Sequence, residues 1–280
     1  MQTPDNWLSI VGAGRVASAL GRVLTESAQL QIRDLLGRSA RTAQAAVDFI
    51  GAGHPVTSFG AMQPADLFLL AVPDDQIANC CSQLAASGVI RAGAVVFHCS
   101  GALSAAVLAP ARDSGASVAS VHPIRSFADP AAVAADFAGT CCGIEDDGAA
   151  TRRLRMLFET AGARVIPIDA AHKTLYHAAA VFASNYVVTL IDVAMQTYAQ
   201  AGVASADALQ MIAPLLRETA ENVFRLGPEA ALTGPVARGD NSTVSRQQAA
   251  LLACHPAHAA LYAQLAEATA ALAARKNIVK

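Results

Sequence analysis

Gly12, Gly14 and Ala17, in the spacing Gly-x-Gly-x-x-Ala, carry the first chemical signal in this chain. The apolar run Leu8–Val11 leads into them and a helix-forming stretch follows. Gly12 permits a tight strand-to-helix turn, Gly14 has no Cβ to hold off a pyrophosphate, and Ala17 lets the helix pack closely on the strand. The helix opens at Arg15 and Val16, where its free N–H groups and positive dipole end suit phosphate. The pattern predicts a dinucleotide site. A tight turn without a ligand is the plainer alternative, and the strand before it and helix after it argue against that.

The next candidates follow from the rule that ligands of open α/β sheets lie beyond the carboxyl ends of the strands. Arg38 and Ser39 follow the second predicted strand. A fold that prefers NAD usually has an acid there for the ribose hydroxyls, whereas a guanidinium and a hydroxyl suit a 2′-phosphate. NADP is therefore expected. Asp34 lies about where counting places the acid, so NAD stays possible, although Asp34 reads as part of the strand. Arg38 could equally be a solvated surface arginine. The backbone of Ala71, Val72 and Pro73 is expected to line the cleft, with Asp74 or Asp75 capping the next helix. Ser100 reads either as an N-cap or as a polar contact near a nicotinamide. His98 and His122 end adjacent predicted strands, so both can face the cleft; a structural role is the competing reading for each.

Further along, Lys173, His177 and Ser184 fall on one face of a predicted helix at ~100° per residue, with Asn185 beside them. On an Ala/Val/Phe-rich helix, such a polar stripe marks either solvent or a wet cleft, and the small residues around it favour the cleft. His177 can give or take a proton; Ser184 and Asn185 can orient a carbonyl or hydroxyl. In the loop Thr233–Asp240, Arg238 can clamp a substrate carboxylate or phosphate, while Asp240 suits a helix cap. Metal chemistry through His98, Cys99 and His122 is the weakest option, because no ligand-spaced motif supports it.

These residues need a scaffold, and the pattern supplies one. Strand-like runs at Leu8–Val11, Ile32–Leu36, Val56–Phe59, Leu67–Val72, Val95–His98, Ser117–Val121, Cys141–Ile144 and Arg164–Ile168 alternate with helical stretches. That order predicts an α/β fold with a Rossmann-type, doubly wound, mostly parallel sheet. From about Asp169 only helix-period segments remain, roughly 171–200, 205–225, 242–253 and 258–274. The expected organisation is a dinucleotide-binding domain over 1–168 and an all-α substrate or dimerisation domain over 169–280.

Composition narrows the function classes. The chain has 280 residues, 54 % of them hydrophobic, and a net charge of −2. Without a long basic block, nucleic acid is not an expected partner. No apolar stretch reads as long as the ~18 residues of a membrane span, and no basic segment precedes a signal-type core. A cytoplasmic protein is expected. The six cysteines make a poor disulfide framework and contain no C-x-x-C, so reduced thiols are expected.

Taken together, Gly-Ala-Gly-Arg-Val-Ala, Ala-Val-Pro-Asp, His-Cys-Ser-Gly-Ala, Val-His-Pro and the helical second half resemble the 6-phosphogluconate-dehydrogenase-like superfamily. Its members include pyrroline-5-carboxylate reductases, ketopantoate reductases, prephenate dehydrogenases and β-hydroxyacid dehydrogenases. The chain is most similar to a bacterial group with a Rossmann-like N-domain and a C-terminal domain of unknown function, on the motifs Tyr176-His177-Ala178, Ser184-Asn185-Tyr186 and Thr233-Gly234-Pro235 through Asp240. The resemblance implies NADP-dependent hydride transfer on a small carbonyl, hydroxyl or imine substrate, and a homodimer. It does not extend to the catalytic Lys/Asn pair of the β-hydroxyacid enzymes, because one turn after Lys173 stands His177, not Asn. The Pro-Gly-Gly loop of pyrroline carboxylate reductases is missing as well. A catalytically silent dinucleotide-binding sensor is the alternative of a different class.

Overall fold

The computed structural model describes residues 6–28, 30–145 and 148–276. Each strand signal has a counterpart: β1 (Trp7–Val11), β2 (Gln31–Leu36), β3 (His54–Val56), β4 (Leu67–Leu70), β5 (Val95–His98), β6 (Ser117–Pro123), β7 (Cys141–Glu145) and β8 (Arg164–Ile168). Only β3 is displaced: it ends at Val56, and Phe59–Ala61 forms a single 3₁₀ turn instead. The eight strands form one sheet in the order β3-β2-β1-β4-β5-β6-β7-β8. All neighbouring pairs are parallel except β6 and β7, which run antiparallel.

The sheet is covered on both faces. Along β4, Leu67 and Leu69 join one apolar cluster while Phe68 and Leu70 join the other, as the two-residue period of a strand requires. The first cluster holds the inner faces of α1 (Arg15–Ala28), α2 (Ala40–Ile50), α5 (Pro130–Ala135) and α6 (Ala149–Thr160). The second holds those of α3 (Asp74–Ala86) and α4 (Ala109–Asp113). Burial on both sides explains why the strands read as near-continuous apolar runs.

The turn after β1 is fixed by close backbone approach. Gly12 has φ +114°, and a Cβ there would lie 2.3 Å from the Ala71 carbonyl oxygen. Ala17 is fully buried against the sheet, as its small size anticipated.

After β8 come α7 (Lys173–Ala183), α8 (Asn185–Gln200), α9 (Ser205–Leu226), α10 (Pro228–Ala231), α11 (Gly234–Ala237), α12 (Asn241–Cys254) and α13 (Pro256–Lys276). The long helix expected over 171–200 is thus two helices, broken at Ser184. The chain divides into two compact units: the first ends at Phe182 and the second begins at Ala183. Most of α7 belongs with the sheet rather than with the helices that follow.

The second unit has little core of its own. Among its described residues, the buried hydrophobic side chains are Ala208, Ile212 and Ala259. Val188 on α8, Leu215 and Phe224 on α9 and Leu252 on α12 are each more than half exposed. One expectation is corrected here. The run Ala170–Gln200 is long and apolar enough to cross a membrane, with a mean hydropathy of 1.6 over its best window and none of that window buried. The polar residues that interrupt it hide this from inspection, because averaging over a window tolerates isolated polar residues.

Candidate active site

A cleft of about 540 Å³ opens at the carboxyl ends of β1, β4 and β5. Gly14, Arg15 and Val16 line it from the glycine turn, Ala71, Val72, Pro73 and Asp74 from the end of β4, and Cys99 and Ser100 from the end of β5. A Cβ built on Gly14 would meet nothing within 4 Å. Gly14 therefore faces open space, which is the opening a pyrophosphate needs above a helix N-terminus. The Gly14 carbonyl accepts the first helical bond from the Ser18 N–H, at 2.9 Å.

At the end of β2, Asp34 is 1 % exposed and its Oδ2 accepts the Gln63 N–H at 2.7 Å. It lies within the strand, and its carboxylate is committed to holding a loop. Arg38 is exposed. Ser39 is the N-cap of α2, where its Oγ accepts the Thr42 N–H and its own N–H donates to Thr42 Oγ1. Such a capping box settles the helix start, and both side chains remain at the surface.

Ser100 organises the turn after β5. Its Oγ donates to Asp74 Oδ2 at 2.7 Å and accepts the N–H groups of Ala102 and Leu103. Asp74 is thereby corrected from helix cap to hydrogen-bond partner of Ser100; the cap position of α3 is Pro73, with no side-chain cap. His98 takes the structural one of its two readings. It is fully buried, its Nδ1 accepts the Ser100 N–H at 3.1 Å, and its Nε2–H donates to the Ser104 carbonyl at 3.2 Å. With both nitrogens satisfied and burial pushing its pKa down to about 4, His98 is a structural residue. Among the described residues, no three or more His, Cys, Asp or Glu side chains are grouped so as to hold a metal ion. Burial also pushes the Cys99 thiol far above the usual range, which keeps it protonated and unreactive.

His122 and His177 meet beside Gly101. Their ring centroids are 5.4 Å apart in an edge-to-face arrangement. A Cβ on Gly101 would lie 2.3 Å from His177 Nδ1 and 2.9 Å from His122 Nε2, so only glycine fits between them. Gly101 follows Ser100, which places the two imidazoles next to the cleft lining. His122 is held neutral, with its pKa lowered to about 4 by burial and then by the positive charges of His177 and Lys173, against Asp74. His177 Nδ1 is buried and has no hydrogen-bond partner among the described residues. A buried ring nitrogen without a partner costs free energy unless something else binds it.

Three neighbours of this pair were not anticipated as a group. Tyr176 Oη lies 2.9 Å from His122 Nδ1. Lys173, 2 % exposed, donates to Ser120 Oγ and pairs with Glu145 Oε2 at 3.3 Å. Both Glu145 oxygens also accept the Ala105 N–H at 2.9 Å. Burial lowers the Lys173 pKa and Glu145 opposes that shift. Helix period alone put Lys173 and His177 on one stripe; it could not show that Lys173 is locked in an ion pair while His177 is not. One signal was present in the sequence: Gly143 stands inside a strand, where glycine often marks close approach by another group.

Ser184, Asn185 and Arg238 belong to the second unit. Ser184 and Asn185 are exposed, and Ser184 Oγ donates to Asn185 Oδ1 at 2.9 Å. Arg238 is exposed at the end of α11. Asp240 is the N-cap of α12, accepting the Thr243 N–H at 3.0 Å.

The chain can now be set beside known proteins. Residues 1–123 match the Rossmann-like domain and residues 140–269 match a domain of unknown function, DUF2520. No curated protein matches it in sequence. Among solved structures it is similar to BF3122 of Bacteroides fragilis, a candidate NADP oxidoreductase, at 22 % identity and TM-score 0.79, covering 95 % of this chain and 98 % of that one. It is similar to TM1727 of Thermotoga maritima at 27 % identity and TM-score 0.73, covering 96 % and 99 %. An imine reductase of Myxococcus stipitatus, solved with NADP+, shares the fold at 14 % identity and TM-score 0.62, covering 97 % and 94 %. The chain thus joins a Rossmann-like domain to a DUF2520 domain.

Proposed function

We propose that the cleft binds NADP(H) and that the protein transfers a hydride to or from a small carbonyl, hydroxyl or imine substrate bearing a carboxylate. The observation that carries this reading is the pairing of an open Gly14 with a His177 Nδ1 that has no hydrogen-bond partner among the described residues, in the first unit, where Ser100 and Gly101 connect the cleft lining to the histidines. Gly14, Arg15 and Val16 would hold the pyrophosphate, Ala71, Val72, Pro73 and Ser100 would line the nicotinamide side, and Arg38 with Ser39 would meet the 2′-phosphate. NADP(H), when bound, supplies or takes the hydride. His177 exchanges the proton with the reacting oxygen or nitrogen, and neutral His122 is the second acid–base candidate. The descriptions of BF3122 and of the NADP+ complex of the imine reductase support the choice of cofactor.

Cofactor titration tests the reading. NADPH is expected to bind more tightly than NADH, because Asp34 is committed to Gln63 and an exposed guanidinium stands at the end of β2. Arg38→Ala is expected to weaken NADPH by about 1.5–3 kcal/mol, the scale of a charged hydrogen bond, and to leave NADH nearly unchanged. Equal titration curves for the two cofactors in the parent protein would overturn the NADP assignment.

We also infer that a second copy of the chain covers the second unit. A helical unit whose buried apolar side chains are so few, with Val188, Leu215 and Phe224 exposed, has its apolar surface directed outward. Sedimentation equilibrium is expected to give a dimer at micromolar concentration. A monomer, or co-flotation with liposomes, would sink the inference.

A further inference from the structure

Two glycines frame the His122 ring. On β7, Gly143 stands directly opposite His122 of β6 in the antiparallel register. A Cβ on Gly143 would lie 2.4 Å from Tyr176 Oη, so the missing side chain is what lets the α7 phenol reach behind the imidazole. There Tyr176 Oη and His122 Nδ1 are 2.9 Å apart, with the rings edge to face at 87° and centroids 5.6 Å apart. On the other side of the ring, Nε2 faces Gly101, where a Cβ would come within 2.9 Å of it.

We propose that Tyr176 is a positioning residue that fixes the tautomer of His122, donating its O–H to Nδ1 so that the imidazole proton sits on Nε2, toward Gly101 and the cleft. The argument is one of hydrogen-bond accounting. A neutral imidazole has one N–H and one lone pair. If Nδ1 carried the proton, it would donate to the phenol oxygen, and the phenol proton would have no acceptor among the described residues, where Tyr176 Oη has no other hydrogen-bond partner. With Nδ1 accepting, the phenol O–H and the Nδ1 lone pair satisfy each other, and only the Nε2–H is left for a ligand. Burial keeps each in the required form: it lowers the His122 pKa to about 4 and raises that of Tyr176 to about 12. The groups acting on His122 do not reverse this. His177 and Lys173 favour the neutral ring, and Asp74 opposes them without prevailing.

The consequence is directional. His122 presents a donor to a ligand atom beside Gly101, while His177 Nδ1 offers the second unfilled position. What that donor does in catalysis rests on the oxidoreductase reading; the tautomer does not.

Long-range ¹H–¹⁵N NMR of the full chain near neutral pH tests the proposal, with the His122 signals assigned by their loss in His122→Asn. In the parent protein His122 is expected to show a protonated Nε2 and an unprotonated, hydrogen-bonded Nδ1. Tyr176→Phe, which keeps the ring and removes only the hydroxyl, is expected to give a mixture of the two tautomers. A proton on Nδ1 in the parent protein would overturn the proposal, and so would a tautomer unchanged by Tyr176→Phe. The parent spectrum decides even if the variant folds poorly. Failure to bind NADPH would count against the oxidoreductase reading alone, leaving the tautomer measurable.

Discussion

Gly14→Val is expected to abolish NADPH binding while leaving the circular dichroism spectrum near native. A Cβ at Gly14 meets nothing within 4 Å, so the protein has room for the new side chain. The Gly14 backbone also lies outside the left-handed region that Gly12 occupies at φ +114°, so no strain is added. The cost to folding is limited to a poorer residue at the entrance of α1, about 1 kcal/mol. The branched carbons would instead fill the space above the helix N-terminus, where the pyrophosphate must approach. Gly12 could not serve this test, because its Cβ would collide with the Ala71 carbonyl oxygen at 2.3 Å and disturb the fold itself. Parent-like NADPH affinity in Gly14→Val would show that the glycine turn is structural only.

His177→Ala is expected to lower turnover by about 10²–10⁴, the usual contribution of a positioned acid or base, and to spare NADPH affinity. The competing possibility is a buried histidine that holds α7 in place. Its geometry argues against that role: among the described residues Nδ1 has no hydrogen bond to lose, and the ring lies against Gly101 and His122. Stability should therefore change little. Melting temperature and turnover must be measured together, with the turnover assay applied once a metabolite panel has yielded a substrate. A large fall in melting temperature with turnover per folded molecule intact would remove His177 from the site.

Much of the first unit was legible in the sequence because its physics is local. Apolar runs with a two-residue or buried-strand pattern gave the strands, and Gly12, Gly14 and Ala17 marked the turn that packs β1 against α1. Ligands of such sheets gather at the carboxyl strand ends, so the sequence alone places Ala71–Pro73 and Ser100 at the cleft they line. The reading failed at Asp74 and stayed open at His98, where one residue had two local uses. Asp74 could cap a helix or bond a serine, and His98 could face a ligand or be consumed by backbone groups; sequence spacing does not separate such cases.

What the sequence by itself determined is the order of elements, the glycine cradle and the set of candidate polar residues. Only tertiary structure decided how those residues divide. Antiparallel pairing of β6 with β7 set Gly143 opposite His122 and so made room for Tyr176. The break at Ser184 split the polar stripe, leaving Lys173 and His177 with the sheet and Ser184 in the second unit. The Glu145 carboxylate, brought by β7, locked Lys173 in an ion pair. These outcomes depend on contacts between residues distant in the chain. A local pattern can say which side chains share a helix face, but the strand or loop brought against that face determines which of them stays free to react.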